Sequence, residues 1–268
     1  MLIPFRKYQG TGNDFVMIDN RNMTFRRDDF SLYAALCDRH RGIGADGVIL
    51  LQNHPDYDFE MVYVNADGRE STMCGNGGRC IVQFAADLYL VKSKYYFLAI
   101  DGPHEALLEN DMVHLHMQDV PSVKQKAGDW ELNTGSPHYV SFIQNVSSLN
   151  VVEGGMKIRH AAEYDKEGIN VNFAERQEHG LFVRTFERGV EDETLSCGTG
   201  VTAAALSLAV QDAWDVGAYS VDIDTPGGAL KVSFELLPGG SFRNIWLIGP
   251  ALEVFAGEID TNRITGIY

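Results

Sequence analysis

Apolar and polar positions recur at two different periods along this chain, and each change of period marks an element. Phe5-Arg6-Lys7-Tyr8 and Phe15-Val16-Met17-Ile18-Asp19 flank the turn Gly10-Thr11-Gly12-Asn13-Asp14, which predicts two short strands. Leu32, Ala35 and Leu36 share one face of a helix for which Ser31 is the expected cap. The glycine-punctuated stretch from Asp38 to Gly47 reads as a loop leading into a strand at 48–51. Residues 58–64 alternate in part and end at the turn Asn65-Ala66-Asp67-Gly68. From Gly78 onward the period lengthens. Ile81, Phe84, Ala85, Leu88 and Tyr89 recur at helical spacing with few charges between them, which predicts a helix buried on most sides. Two further strands are expected near 96–100 and 113–117.

The second half repeats this order. At a fixed offset of 123 residues, Thr11-Gly12 falls on Thr134-Gly135, Phe59 on Phe182, Tyr63 on Phe186 and Asn65 on Arg188. Cys74-Gly75-x-Gly77 falls on Cys197-Gly198-x-Gly200. Ile100-Asp101-x-Pro103-x-x-Ala106-Leu107 falls on Ile223-Asp224-x-Pro226-x-x-Ala229-Leu230, with five of eight positions identical. One register carrying so many matches predicts an internal duplication. The expected fold is α/β (α+β), with two pseudo-symmetric domains, each a mostly antiparallel sheet wrapped around a central apolar helix. Pro121 ends the first half, so the expected domains are 1–119, joined by a C-terminal segment from about 252 to 268, and 120–251.

Composition narrows the function. Lysine and arginine number 22 against 37 aspartate and glutamate, a formal charge of -15, which repels phosphate backbones and argues against nucleic acid. No apolar run approaches the roughly 18 residues of a membrane span, and the first residues lack a signal peptide's apolar region, so a cytoplasmic protein without a membrane partner is expected. Cys37, Cys74, Cys80 and Cys197 form no CxxC pair and are expected as free thiols. Cys80 reads as core, and Cys37 has no motif around it. His114-x-His116 has no third ligand nearby, so no metal site is expected.

The chemistry sits in the two Cys-Gly-x-Gly turns. A helix start carries unpaired N–H groups and partial positive charge, and glycines let these approach an anion. Such a turn can hold a carboxylate and lower the pKa of its cysteine. Two helix starts facing one another would clamp one carboxylate, with a thiol on each side of the adjacent carbon. That suits proton removal from one face and delivery to the other, which inverts the carbon. A helix terminus contributes about 0.3–1 kcal/mol, against barrier reductions of about 8–23 kcal/mol in enzymes, so the site must also exclude water. No cofactor is needed for this chemistry, and no lysine has the context of a Schiff base. Taken singly, each cysteine could be an ordinary small buried residue, and a redox pair is a further reading.

Polar residues converge near each cysteine. Asn65 ends the strand before Cys74, and Glu187-Arg188-Gly189 ends the one before Cys197. A strand-end Glu–Arg pair reads either as a substrate fork or as a surface ion pair. His138 opens the second half as Asn13 opens the first, in a structural or a functional role. Asn170 and Asn172 flank Val171 on an expected strand.

At these residues the chain resembles the diaminopimelate epimerases. The motifs are Gly10-Thr11-Gly12-Asn13-Asp14-Phe15, the run from Asp38 to Asp46, Asn65-Ala66-Asp67-Gly68, the run from Met73 to Cys80, Pro137-His138, Glu187-Arg188-Gly189 and Cys197-Gly198-Thr199-Gly200. The resemblance implies a cofactor-independent homodimeric enzyme that interconverts LL- and meso-2,6-diaminopimelate in lysine and cell-wall precursor synthesis. It implies that Cys74 and Cys197 are the acid/base pair, supported by His138 and Glu187. The amides of Gly75, Asn76, Gly198 and Thr199 are implied to hold the reacting carboxylate, and Asn13, Asn65, Asn170, Glu187 and Arg188 to contact the substrate. Ser136 stands where many members have Asn, Gly47 where some have Gln, and the loop 190–196 is one residue longer and more acidic; these put fine specificity in question. The alternatives are a proline- or hydroxyproline-type racemase, whose first motif usually carries His where this chain has Asn76, and a non-catalytic amino-acid-binding protein.

Overall fold

The structure is a computed structural model and describes residues 1–264; positions 265–268 of the expected C-terminal segment lie outside the described residues. It divides into two compact units, Met1–Leu115 with the chain from Pro250 onward, and His116–Gly249.

The first unit runs β1 (Leu2–Gly10), β2 (Asn13–Asp19), α1 (Phe30–Cys37), β3 (Gly47–Gln52), β4 (Phe59–Asn65), α2 (Gly75–Asp87), β5 (Lys94–Ala99), β6 (Gly102–Glu109) and β7 (Met112–His116). The second runs β8 (Lys124–Lys126), β9 (Asp129–Asn133), β10 (Pro137–Phe142), α3 (Val151–Arg159), β11 (Asn170–Gln177), β12 (Gly180–Glu187), β13 (Asp192–Thr194), α4 (Gly198–Gln211), β14 (Gly217–Thr225), β15 (Gly228–Leu236) and β16 (Phe242–Gly249). The chain then returns to the first unit as β17 (Leu252–Asp260).

The two units share one ladder plan. In the first, the pairings β17–β1 and β1–β2 are antiparallel, β2–β3 parallel, β3–β4 antiparallel, β4–β5 parallel, and β5–β6 and β6–β7 antiparallel. In the second, the same succession runs β8–β9, β9–β10, β10–β11, β11–β12, β12–β14, β14–β15 and β15–β16, with β13 added beside β12. The helices occupy matching places in each: α1 and α3 precede the fourth strand of the plan, β3 or β11, and α2 and α4 follow the fifth, β4 or β12. The fold is thus a sheet-dominated α+β arrangement with internal pseudo-symmetry.

Each central helix is the core of its unit. α4 buries eleven of its fourteen residues, because Val201, Ala203 to Leu206, Leu208 and Ala209 leave no polar face. α2 buries ten of thirteen, among them Cys80, Ile81, Val82, Phe84 and Ala85. Cys80 is therefore core, and burial pushes its thiol well above its usual range.

Four details differ from the sequence reading. Asp29 caps α1, its carboxylate accepting from the Leu32 N–H at 3.3 Å, and Ser31 lies inside the first turn. β6 has no counterpart among the expected strands, since Glu105 and Glu109 interrupt its apolar run. α3 is hidden in the sequence by Gly154 and Gly155, poor helix formers. A Cβ on Gly155 would lie 2.3 Å from Phe186 Cβ, so close packing on β12 requires glycine there. Finally, the matched segments near 100 and 223 are not equivalent. Ile100-Asp101 form the turn between β5 and β6, whereas Ile223-Asp224 lie within β14 and its turn falls at Pro226-Gly227. The duplication is real, but those identities coincide in counting and not in fold.

Candidate active site

Two polar clusters surround the cysteines, one in each unit. In the first, Cys74 is the N-cap of α2, with extended backbone, and its sulfur accepts the Gly77 N–H at 3.2 Å. Glycine at 77 follows from crowding: a Cβ there would lie 3.1 Å from Ile49 Cδ1 and 3.2 Å from the Cys74 sulfur. Asn13, at the start of β2, presents its side-chain oxygen to the Cys74 sulfur at 3.9 Å and accepts from Asn76 Nδ2 at 3.4 Å. Its own Nδ2 donates to the Asp46 carboxylate. Asp46 is set by Arg39, which bonds it at 2.7 Å and holds Asp14 at 2.8 and 3.0 Å. Burial works to raise the Asp14 pKa, but Arg39 and Lys7 override it and hold it at about 2.

Beneath Asn76 lies Arg79, fully buried and, among the described residues, within ion-pair distance of no carboxylate. Its Nη2 donates to Asn76 Oδ1 and Thr11 Oγ1, each at 3.0 Å, and its other donors reach the carbonyls of Gly75 and Pro250 at 3.3 and 3.4 Å. Burial lowers its pKa to about 10, opposed by Cys80 and Cys74. Asn65 ends β4 opposite Gly47, and its side-chain amide has no protein partner among the described residues. Gly47 is required by packing, since a Cβ there would lie 2.6 Å from both the Tyr63 ring and the Val64 carbonyl.

In the second unit Cys197 is the N-cap of α4, and its sulfur lies 3.5 Å from Thr199 Oγ1. Ser136 Oγ sits 3.2 Å from that hydroxyl, 2.9 Å from His138 Nε2 and 3.1 Å from Asn170 Nδ2. Asn172 Nδ2 lies 3.0 Å from His138 Nδ1, and its Oδ1 accepts from Thr185 Oγ1 at 2.9 Å. His138 is fully buried; burial first, and the Arg188 charge second, bring its pKa down to about 3, so the ring is neutral. Arg188 donates its backbone N–H to Asn170 Oδ1 at 2.9 Å and its guanidinium to the Glu167 carbonyl at 2.7 Å. Glu187 ends β12, paired with Asp192 of β13. The acidic extension of this loop forms a hairpin locked by Glu193, which grips Arg184 at 2.6 and 2.7 Å.

The structure gathers Asn13, Cys74, Gly75 and Asn76 in one cluster, with Asn65 at the strand end before it. Ser136, His138, Asn170, Cys197, Gly198 and Thr199 form the other, and Glu187 and Arg188 flank it. The offset of 123 carries Asn13 onto Ser136 and Asn76 onto Thr199, so matched positions bracket each cysteine. Sequence reading gave no role to Asp46 or Arg79. The signal available was a charged residue inside a glycine-rich turn, which by itself does not separate a buried partner from a solvated one.

A family model described as diaminopimelate epimerase matches residues 5–119 and 131–236. A diaminopimelate epimerase of Flavobacterium psychrophilum is 50% identical over 255 residues, covering 94% of this chain and 98% of that protein. One from Chlorobaculum tepidum is 41% identical over 259 residues, covering 93% and 98%. Among solved structures, a phenazine biosynthesis protein of the PhzF family from Bacillus anthracis superposes with a TM-score of 0.78 at 13% identity, covering 97% of this chain and 99% of that one. A hydroxyproline epimerase from Agrobacterium vitis gives 0.69 at 14% identity, covering 96% and 92%. These two carry the fold alone, whereas the sequence relatives and the family model carry more: this chain belongs to the diaminopimelate epimerase family.

Proposed function

We infer that this chain is an isomerase, a diaminopimelate epimerase that interconverts LL- and meso-2,6-diaminopimelate in lysine and peptidoglycan precursor synthesis. The observation that carries the reading is the pair of cysteines, each the N-cap of the buried central helix of its half.

In the two-cysteine mechanism one sulfur is a thiolate and the other a thiol. The thiolate takes the α-hydrogen as a proton, and the electron pair left on carbon delocalises into the adjacent carboxylate. The thiol then gives its proton to the opposite face, so the product leaves with the two protonation states exchanged. We assign these roles to Cys74 and Cys197. The backbone amides of Gly75, Asn76, Gly198 and Thr199 are assigned to the carboxylate, where helix starts favour negative charge. Asn13, Asn65, Ser136, Asn170, Glu187 and Arg188 are assigned to the rest of the substrate. The unengaged amide of Asn65 supports this. His138 and Glu187 are assigned a supporting role, which the buried, neutral state of His138 favours over acid/base work of its own.

The test is release of α-tritium from LL-diaminopimelate to water. Wild type should release it rapidly, and both Cys74→Ala and Cys197→Ala should be slowed by orders of magnitude. Activity on proline alone would sink the assignment.

We propose further that the chain acts as a cytoplasmic homodimer with domains divided near 119/120 and the segment from about 252 returning to the first. Seven of the nine residues of β17 are exposed, including Leu252, Val254 and Phe255, an apolar edge that favours self-association. Free thiols at all four cysteines fit a reducing compartment. Among the described residues, no helix is long and apolar enough to cross a membrane. Sedimentation at micromolar concentration should give twice the mass of 29.7 kDa.

A further inference from the structure

A run of polar groups in the second unit ends on the Cys197 sulfur, and groups with a single hydrogen-bonding role fix its direction. The carbonyl oxygens of Pro137 and Tyr139 can only accept. Asn172 Nδ2 lies 3.0 Å from the Tyr139 oxygen and is therefore its NH2 group, so His138 Nδ1, also 3.0 Å from it, is an acceptor. The neutral ring then carries its proton on Nε2 and donates to Ser136 Oγ at 2.9 Å. Asn170 Nδ2 is set in the same way by the Pro137 oxygen at 3.2 Å and by the Arg188 N–H on its Oδ1 at 2.9 Å, and it also donates to Ser136 Oγ, at 3.1 Å. Two donors occupy both lone pairs of Ser136. Its own proton goes to Thr199 Oγ1 at 3.2 Å, and the Thr199 proton is left facing the Cys197 sulfur at 3.5 Å.

In the first unit the Cys74 sulfur also receives a hydrogen bond, from the Gly77 N–H at 3.2 Å, but the side chain at the matched position has the opposite polarity. Arg79 can only donate, so Asn76 turns its oxygen to Arg79 and its NH2 to Asn13. The Asp46 carboxylate takes the Asn13 NH2, leaving the Asn13 oxygen, an acceptor, toward the Cys74 sulfur.

We propose that Ser136 is a positioning residue that turns the Thr199 hydroxyl proton onto the Cys197 sulfur and thereby favours the thiolate at Cys197. This rests on the two-cysteine reading for its catalytic meaning, but not for its chemistry. A sulfur that receives a hydrogen bond is stabilised as an anion. Ser136 thus decides which proton Thr199 offers, beyond any contact of its own with substrate. The ionisable groups on the strands around the relay are His138 and Tyr139 on β10, Glu175 and Arg176 on β11, and Arg184 and Glu187 on β12, with Arg188 just beyond it. All of them are left in place by hydroxyl-removing variants, so those variants read the relay alone.

The experiment is an NMR titration of the full chain labelled with 13Cβ-cysteine, the four signals being assigned with Cys→Ser variants. Ser136→Ala and Thr199→Val should each raise the Cys197 midpoint, with about a threefold or greater loss of thiolate at a fixed pH below it. Cys74 should not move, and Ser136→Thr and Thr199→Ser should keep the wild-type midpoint. An unchanged Cys197 midpoint in Ser136→Ala would overturn the proposal, as would an equal shift at Cys74, which would mark general loosening. Where Ser136→Ala does not fold, the Thr199→Val and Thr199→Ser pair decides in the same way. The titration needs no substrate, so failure of the relay and failure of the epimerase assignment give different results.

Discussion

Arg79 Nη2 donates to Asn76 Oδ1 at 3.0 Å from a fully buried position. This contact links a cation with no carboxylate partner, among the described residues, to the amide that orients Asn13 beside Cys74. Replacing Arg79 with Met removes the charge and the hydrogen bonds that it donates to Asn76 Oδ1 and Thr11 Oγ1. The expected cost in stability is about 1–3 kcal/mol. Turnover should fall about tenfold or more, with the Cys74 thiol midpoint moved up. Arg79→Lys should not restore turnover, because a single ammonium cannot reach Asn76, Thr11 and two carbonyls at once. Steady-state kinetics and denaturant unfolding of the three proteins check this. A fully active Arg79→Met would contradict it.

His138 makes folding stability depend on pH in a definite direction. Its folded pKa of about 3 lies below its usual 6.5, so the unfolded chain binds a proton that the folded one does not. The contribution is fully present above 6.5 and is lost as pH falls toward 3. Between those limits it has a slope of about 1.4 kcal/mol per pH unit. Asp14, held at about 2 against its usual 3.8, adds loss only below 3.8. His138→Asn should flatten the unfolding free energy between pH 6 and 4. Denaturant titrations across that range measure it, and an unaltered slope would refute the assignment.

Gly200→Ala tests how tightly α4 is pressed onto β11. A Cβ at Gly200 would lie 2.2 Å from Asn172 Oδ1, the amide that sets the His138 tautomer. The expected loss is about 1–3 kcal/mol from overpacking, with turnover reduced more than substrate affinity. Thermal unfolding and a comparison of kcat with KM provide the check.

Glu193 holds the acidic hairpin that carries Glu187 and Arg188. Glu193→Ala should release Arg184 from its fork and loosen the 188–194 segment, raising KM with a smaller change in kcat. Limited proteolysis should cut within that segment faster than in wild type. Unchanged KM and unchanged cleavage would show that the hairpin holds without the fork.

Much of the fold was legible because it is local or repeated. The helical run after Cys74, the strands at 48–51 and 58–64, and the Cys-Gly-x-Gly register all follow from side-chain periodicity and turn chemistry, which act between near neighbours. α3 was not legible, because Gly155 reflects contact with Phe186, a residue 31 positions away, and Gly154 faces Phe173 on β11. The identities at 100 and 223 misled for a related reason: a strand register is set by its partner strand, and three extra residues between the start of α4 and its hairpin turn shift it without erasing the match.

The site divides in the same way. The amino-acid sequence by itself determined that two cysteines would sit at two equivalent helix starts, since glycine and apolar spacing leave the backbone few alternatives there. Only the tertiary structure decided which side chain each sulfur meets: an amide oxygen beside Cys74, anchored by Asp46 and a buried Arg79, and a hydroxyl proton beside Cys197, anchored by carbonyls of Pro137 and Tyr139. Hydrogen-bond polarity depends on groups brought together from distant strands. No count along the chain reports which lone pair is already taken.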